Sequence, residues 1–154
     1  MVIRAPRWPS TSVPRVSTFD PGAVLDEIDG ATAQVLATAA RFTDADARAP
    51  SLLPGWSRGH VLTHLARNAD GGQRLLSWAR TGVEAAEYPS MAARTAEIEA
   101  GAGRSASQLR DDVLTSAERF AAEYRRMPAE AWERTVRWTG TGPLIATQSG
   151  KVSS

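Results

Sequence analysis

Three stretches of apolar residues, each recurring at spacings of three and four, dominate this chain and leave room for little but helices. Leu25, Ile28, Thr32, Val35 and Ala39 form the first. It follows Asp20-Pro21, an N-cap residue with proline at the first helical position, and is expected to stop near Phe42, before Asp44, Asp46 and Pro50. The second begins after the turn Leu53-Pro54-Gly55-Trp56, with Ser57 as N-cap, and runs to about Arg80, where Gly82 suits a left-handed C-terminal cap. Trp56 and Val61 are spaced for a hydrophobic staple across that start. Gly71-Gly72 marks either a kink or a close approach of another group. The third stretch, Leu109, Val113, Ala117, Phe120 and Tyr124, opens on the capping box Ser105-x-x-Gln108 and ends near Met127-Pro128. A shorter helix is expected from Met91 to Ala100, and a further helical turn from Ala129 to Trp132. No strand pattern of any length stands beside these, so the class is all-α: an up-down helical bundle with three long helices.

The chain has 154 residues, one domain's worth, and at that size roughly 70% of the unfolded surface can be buried. A net charge of +1 supplies no global field to draw nucleic acid or an anionic membrane. Arg58, Arg67, Arg74 and Arg80 are scattered round the second helix among acids and read as a solvated face. Trp56, Trp78, Trp132 and Trp138 read as packing, not as a stacking platform. No apolar run approaches the ~20 residues of a membrane helix. Residues 1–18, with Pro6, Pro9 and Pro14, read as a flexible leader without the apolar core of a signal peptide, so a cytoplasmic location is expected.

With no cysteine in the chain, histidines and carboxylates are the only transition-metal ligands available. Both histidines, His60 and His64, lie in the second helix, four residues apart. At ~100° per residue, Leu62, Leu65, Ala69, Leu76 and Ala79 fall on one stripe. His64 sits at its edge beside Asn68 and Leu75, which makes it the better candidate ligand. His60 lies further round, near Trp78 and Arg67, is the less favoured ligand, and is better placed to cap the helix start or face solvent. Val61 stands where a metalloprotease helix carries its glutamate. Asp70, Glu84 and Glu87 have no spacing that marks them as ligands.

The string LPGWSRGHVLTHLARNAD, Leu53 to Asp70, resembles the N-terminal domain of the mycothiol-dependent maleylpyruvate isomerases, which are DinB-like four-helix bundles. The likeness continues through Trp78-Ala79-Arg80-Thr81-Gly82, Arg94 to Gly101 and the Trp132 and Val136 region, and covers roughly Phe19 to Thr147. It implies a divalent metal, usually zinc, at one end of the bundle. His64 would be one ligand, and a glutamate and a histidine four residues apart on a fourth helix would be the others. It also implies the thiol mycothiol as cosubstrate and a maleylpyruvate-like substrate, converted to fumarylpyruvate by reversible thiolate addition.

This chain departs from that pattern after Thr147. Residues 148–154 form a short polar tail with the sole lysine, Lys151. No histidine follows His64, and no glutamate follows Glu133. The expectation is a bundle that stops before its fourth helix, with zinc bound weakly or not at all and no isomerase activity of its own. Leu65, Leu76, Val113 and Phe120 would then line an exposed seam open to self-association. The alternative is a non-catalytic remnant or helical interaction module without a complete metal site. No catalytic or thiol-binding residue is assigned from the sequence.

Overall fold

Each long helix begins at its expected cap. Asp20 accepts the Ala23 N–H at 3.2 Å and opens α1 (Pro21–Ala39). Ser57 opens α3 (Arg58–Thr81), which ends on Gly82 at φ 78°, the left-handed conformation glycine takes at least cost. Ser105 and Gln108 form the capping box of α5 (Ala106–Arg125), and Ser90 caps α4 (Met91–Ala102). A 3₁₀ turn, Ala129–Glu133, follows α5. The computed structural model describes residues 19–139 and the backbone of 143–145. The leader expected over 1–18 and the tail expected over 148–154 lie outside the described residues.

Two elements differ from expectation. α1 stops at Ala39, short of Phe42, because Thr43 and Asp46 form a capping box of their own and start α2 (Asp44–Arg48). The segment expected to hold no strand pairs β1 (Thr135–Arg137) antiparallel with β2 (Pro143–Ile145), Val136 opposite Leu144.

α3 is the central element, with α5 along one side and α4 along the other, while α1 leans mainly on α5. One core cluster gathers Leu25, Leu76, Tyr124, Trp132 and Val136; the other gathers Ala39, Leu62, Ala66, Leu109 and Val113. Two neighbours on different sides widen the buried face of α3 beyond the single stripe expected. Leu62, Leu76 and Ala79 are buried as predicted, but so are Thr63 and Ala66, whereas Leu65 is exposed. The α3–α4 contact is close enough to need glycine. A Cβ on Gly59 would stand 2.2 Å from the Ala102 carbonyl oxygen, and one on Gly101 would stand 2.5 Å from Thr63 Cγ2.

The arginines of α3 are not a solvated face. Arg67 pairs with Asp112 at 2.5 Å and Arg80 with the buried Glu123 at 2.6 Å, both on α5. Arg58 faces Asp46 at 3.9 Å, and Arg74 donates to the Ala86 and Glu87 carbonyls. These acids come from distant sequence, which is why periodicity within one helix does not reveal them. Among the described residues no helix is long and apolar enough to cross a membrane.

Candidate metal-ligand site around His64

His60 and His64 share one environment but serve different ends. The Trp56 ring stacks on His60, centroids 6.1 Å apart and planes at 21°, and meets His64 edge-on at 5.6 Å. His60 occupies the third helical position of α3, where its Nδ1 accepts the Ser57 N–H at 3.1 Å and lies 2.8 Å from Ser57 Oγ. An accepting Nδ1 places the imidazole proton on Nε2, which donates to Glu99 at 3.1 Å. Both nitrogens of His60 are therefore engaged in closing the helix start and bridging to α4, the capping role expected of it.

His64 is half-buried on the same face. Burial, and then the charge of the nearby Arg94 guanidinium, hold it below the ordinary imidazole value of 6.5, so it is neutral at physiological pH. Arg94 Nη2 lies 3.1 Å from His64 Nδ1. Arginine can only donate, so Nδ1 accepts and the ring proton sits on Nε2. A neutral imidazole is the form that binds metal, but its one in-plane lone pair is here turned to Arg94. Among the described residues no group of three histidines, aspartates or glutamates converges as a metal set. Asp70, offered by sequence only as a neighbour, pairs with Arg67 at 3.3 Å and Arg119 at 2.9 Å. The described residues thus do not assemble the three or four ligands that zinc takes.

A cavity of about 410 Å³ opens between α1, α3 and α5. The four residues expected to form an exposed seam, Leu65, Leu76, Val113 and Phe120, all line it, with Ile28 and Val35 opposite, but Leu76 and Val113 are buried at its floor and only Leu65 is exposed. The Gly71-Gly72 pair is a close approach, since a Cβ on Gly72 would stand 2.9 Å from the Phe120 ring, and one on Gly71 2.6 Å from Glu87 Cγ.

Glu87, left unassigned by its spacing, is the buried acid at the edge of this cavity. It is 3% exposed, and its Oε2 has no hydrogen-bond partner among the described residues. Burial raises its carboxyl above the usual range despite the Thr139 amide, Arg94, Arg74 and the Trp138 side chain, which oppose the shift. A raised acid is held protonated more firmly when folded. As pH climbs through the ordinary value of 4.5 the unfolded chain ionises first and the folded state loses stability, until pH passes the folded value. The stability of Glu87→Gln relative to wild type is therefore expected to improve between about pH 4 and about pH 7 in paired urea titrations. A difference that stays level or shrinks contradicts a buried, charge-averse Glu87.

The comparisons with known proteins bear on the family and the fold. The family described as the mycothiol maleylpyruvate isomerase N-terminal domain matches residues 28–149. A crystal structure of the mycothiol-dependent maleylpyruvate isomerase is similar at 29% identity and a TM-score of 0.79, over 84% of this chain and 54% of that one. A histidine-to-alanine mutant of that isomerase is similar at 28% identity with the same TM-score and the same coverage of both chains. This chain spans about half the length of those solved structures. No curated protein matches. The extent of the family match and the likeness to the two isomerase structures place the chain in the mycothiol maleylpyruvate isomerase N-terminal domain family.

Proposed function

We propose that this chain is the helical module of a mycothiol-dependent, divalent-metal isomerase or thiol transferase, and that His64 is the ligand it contributes to the metal, with zinc the expected ion. The observation that carries this is the neutral, half-buried His64 inside the segment the family matches. A thiol cosubstrate and a maleylpyruvate-like substrate follow from the same family. The remaining ligands are not found among the described residues. The chain by itself is accordingly expected to bind zinc weakly and to leave maleylpyruvate unturned when mycothiol is supplied.

Metal analysis after equilibration with zinc and brief dialysis tests the role of His64. Wild type should retain a small fraction of an equivalent and His64→Ala none. Equal zinc in the two proteins would remove His64 from the site. His60→Ala should leave zinc content unchanged, because both of its ring nitrogens are already engaged.

The apolar cavity favours a second reading, a non-catalytic helical module that self-associates through the cavity mouth at the exposed Leu65 and the half-buried Phe120. Concentration-dependent dimer in sedimentation velocity, abolished by Leu65→Ser, is its signature. A strict monomer at all concentrations refutes it.

A further inference from the structure

The described arginines that are not exposed differ in what they meet. Arg67, Arg80 and Arg104 each face a carboxylate on α5 at 2.5–2.7 Å, and Arg58 and Arg110 face Asp46 and Asp111 at 3.9 and 3.2 Å. Arg74 has no carboxylate but donates to the carbonyls of Ala86 and Glu87, closing the loop that follows α3. Arg94 is the exception. It is half-buried, it forms no ion pair with a described residue, and its one described hydrogen bond goes to neutral His64. The Tyr88 ring supports it from one side, with the guanidinium carbon 5.9 Å from the ring centroid. A guanidinium presents five N–H donors in a rigid fork, so a carboxylate can be received there with both oxygens. A half-buried cation without a counter-charge is disfavoured, and an arriving anion relieves that.

We propose that Arg94 is the carboxylate-recognising residue of this site, holding a small carboxylate ligand beside His64. This rests on the reading of the site given above and supplies what that reading lacks, a group that selects an anionic substrate. Glu87 and Glu97 lie near enough to Tyr88 and Arg94 to oppose an anion by charge, yet neither pairs with Arg94. The burial of Glu87 favours its uncharged form and weakens that opposition. The same geometry makes Arg94 a competitor for the His64 lone pair. A carboxylate that draws the guanidinium away would leave Nδ1 free.

The test uses the whole chain and maleate as the probe. Trp56, 5.6 Å from His64, reports through its fluorescence, and the His64 ring nitrogens report by NMR. Maleate should bind saturably and shift the His64 ring signals. Arg94→Met should weaken it roughly tenfold or more, with Arg94→Lys between the two, because a charge-assisted pair is lost or made monodentate. Neutral maleamide should not bind. Thermal melts of both variants confirm that the fold persists. Equal maleate affinity in wild type and Arg94→Met overturns the inference, as does maleamide binding as well as maleate. Maleate binding that depends on Arg94 in a chain that takes up no zinc upholds the inference while removing the metal reading, so the two fail separately.

Discussion

Gly59→Ala is expected to destabilise the fold by about 3 kcal/mol, lowering the midpoint of thermal unfolding by roughly 6–12 °C. The sign is not obvious, since alanine is the better helix former by ~1 kcal/mol. Space decides it. The new methyl would stand 2.2 Å from the Ala102 carbonyl oxygen and 3.3 Å from that of Ala47, both backbone atoms that no rotamer change can move. α4 would have to shift away from α3, and the Gly101–Thr63 contact one turn along resists that shift. Gly30 on α1 is the control, because nothing lies within 4 Å of its would-be Cβ. Gly30→Ala should stabilise by roughly 0.5–1 kcal/mol through propensity alone. Thermal melts of the two variants check both signs together. Gly59→Ala melting at or above wild type would mean that α3 and α4 are not in backbone contact.

Trp132→Ala is expected to cost about 4 kcal/mol, the range for removing a large aromatic from a packed interior. Trp132 is 6% exposed, meets Tyr124 at 4.7 Å between ring centroids and Phe19 edge-on at 5.4 Å. Its effect reaches further than its own cavity. Tyr124 donates its hydroxyl to the Pro21 carbonyl at 2.9 Å, so the same aromatic cluster ties the start of α1 to α5. α1 has few other buried residues, Leu25 and Ala39. Hydrogen exchange at the start of α1 should therefore accelerate in Trp132→Ala more than exchange in α3. Trp132→Phe should recover part of the loss. Uniform acceleration across all helices would contradict a local tie.

What the sequence displays and what it hides follow from the range of each interaction. The caps at Asp20, Ser57 and Ser105 and the left-handed Gly82 act within four residues, and all are legible in the chain. α2 is not, since five residues carry no apolar period, and its start depends on the local Thr43–Asp46 box. The β1–β2 pair is three residues long on each strand and leaves no alternation to read. The exposure of Leu65 beside buried Thr63 and Ala66 needs the positions of two other helices. For the site, the capping position of His60, three residues after Ser57, is visible in the sequence. Arg94 lies 30 residues from His64, and its approach to Nδ1 has no trace in either local pattern. Glu87 escaped for the same reason, because only the fold presses it against Gly71.

The proposed function gives His64 a metal-ligand role, while among the described residues no metal set converges and His64 Nδ1 faces an arginine. Cobalt(II) titration followed by visible absorption tests that account most directly, because band intensity reports coordination geometry and the number of ligands the protein supplies. The account predicts only faint six-coordinate absorption close to that of free aqueous cobalt(II), with any difference from the free ion lost in His64→Ala. Intense tetrahedral bands saturating at one equivalent would contradict it, for they require three or four ligands from the protein.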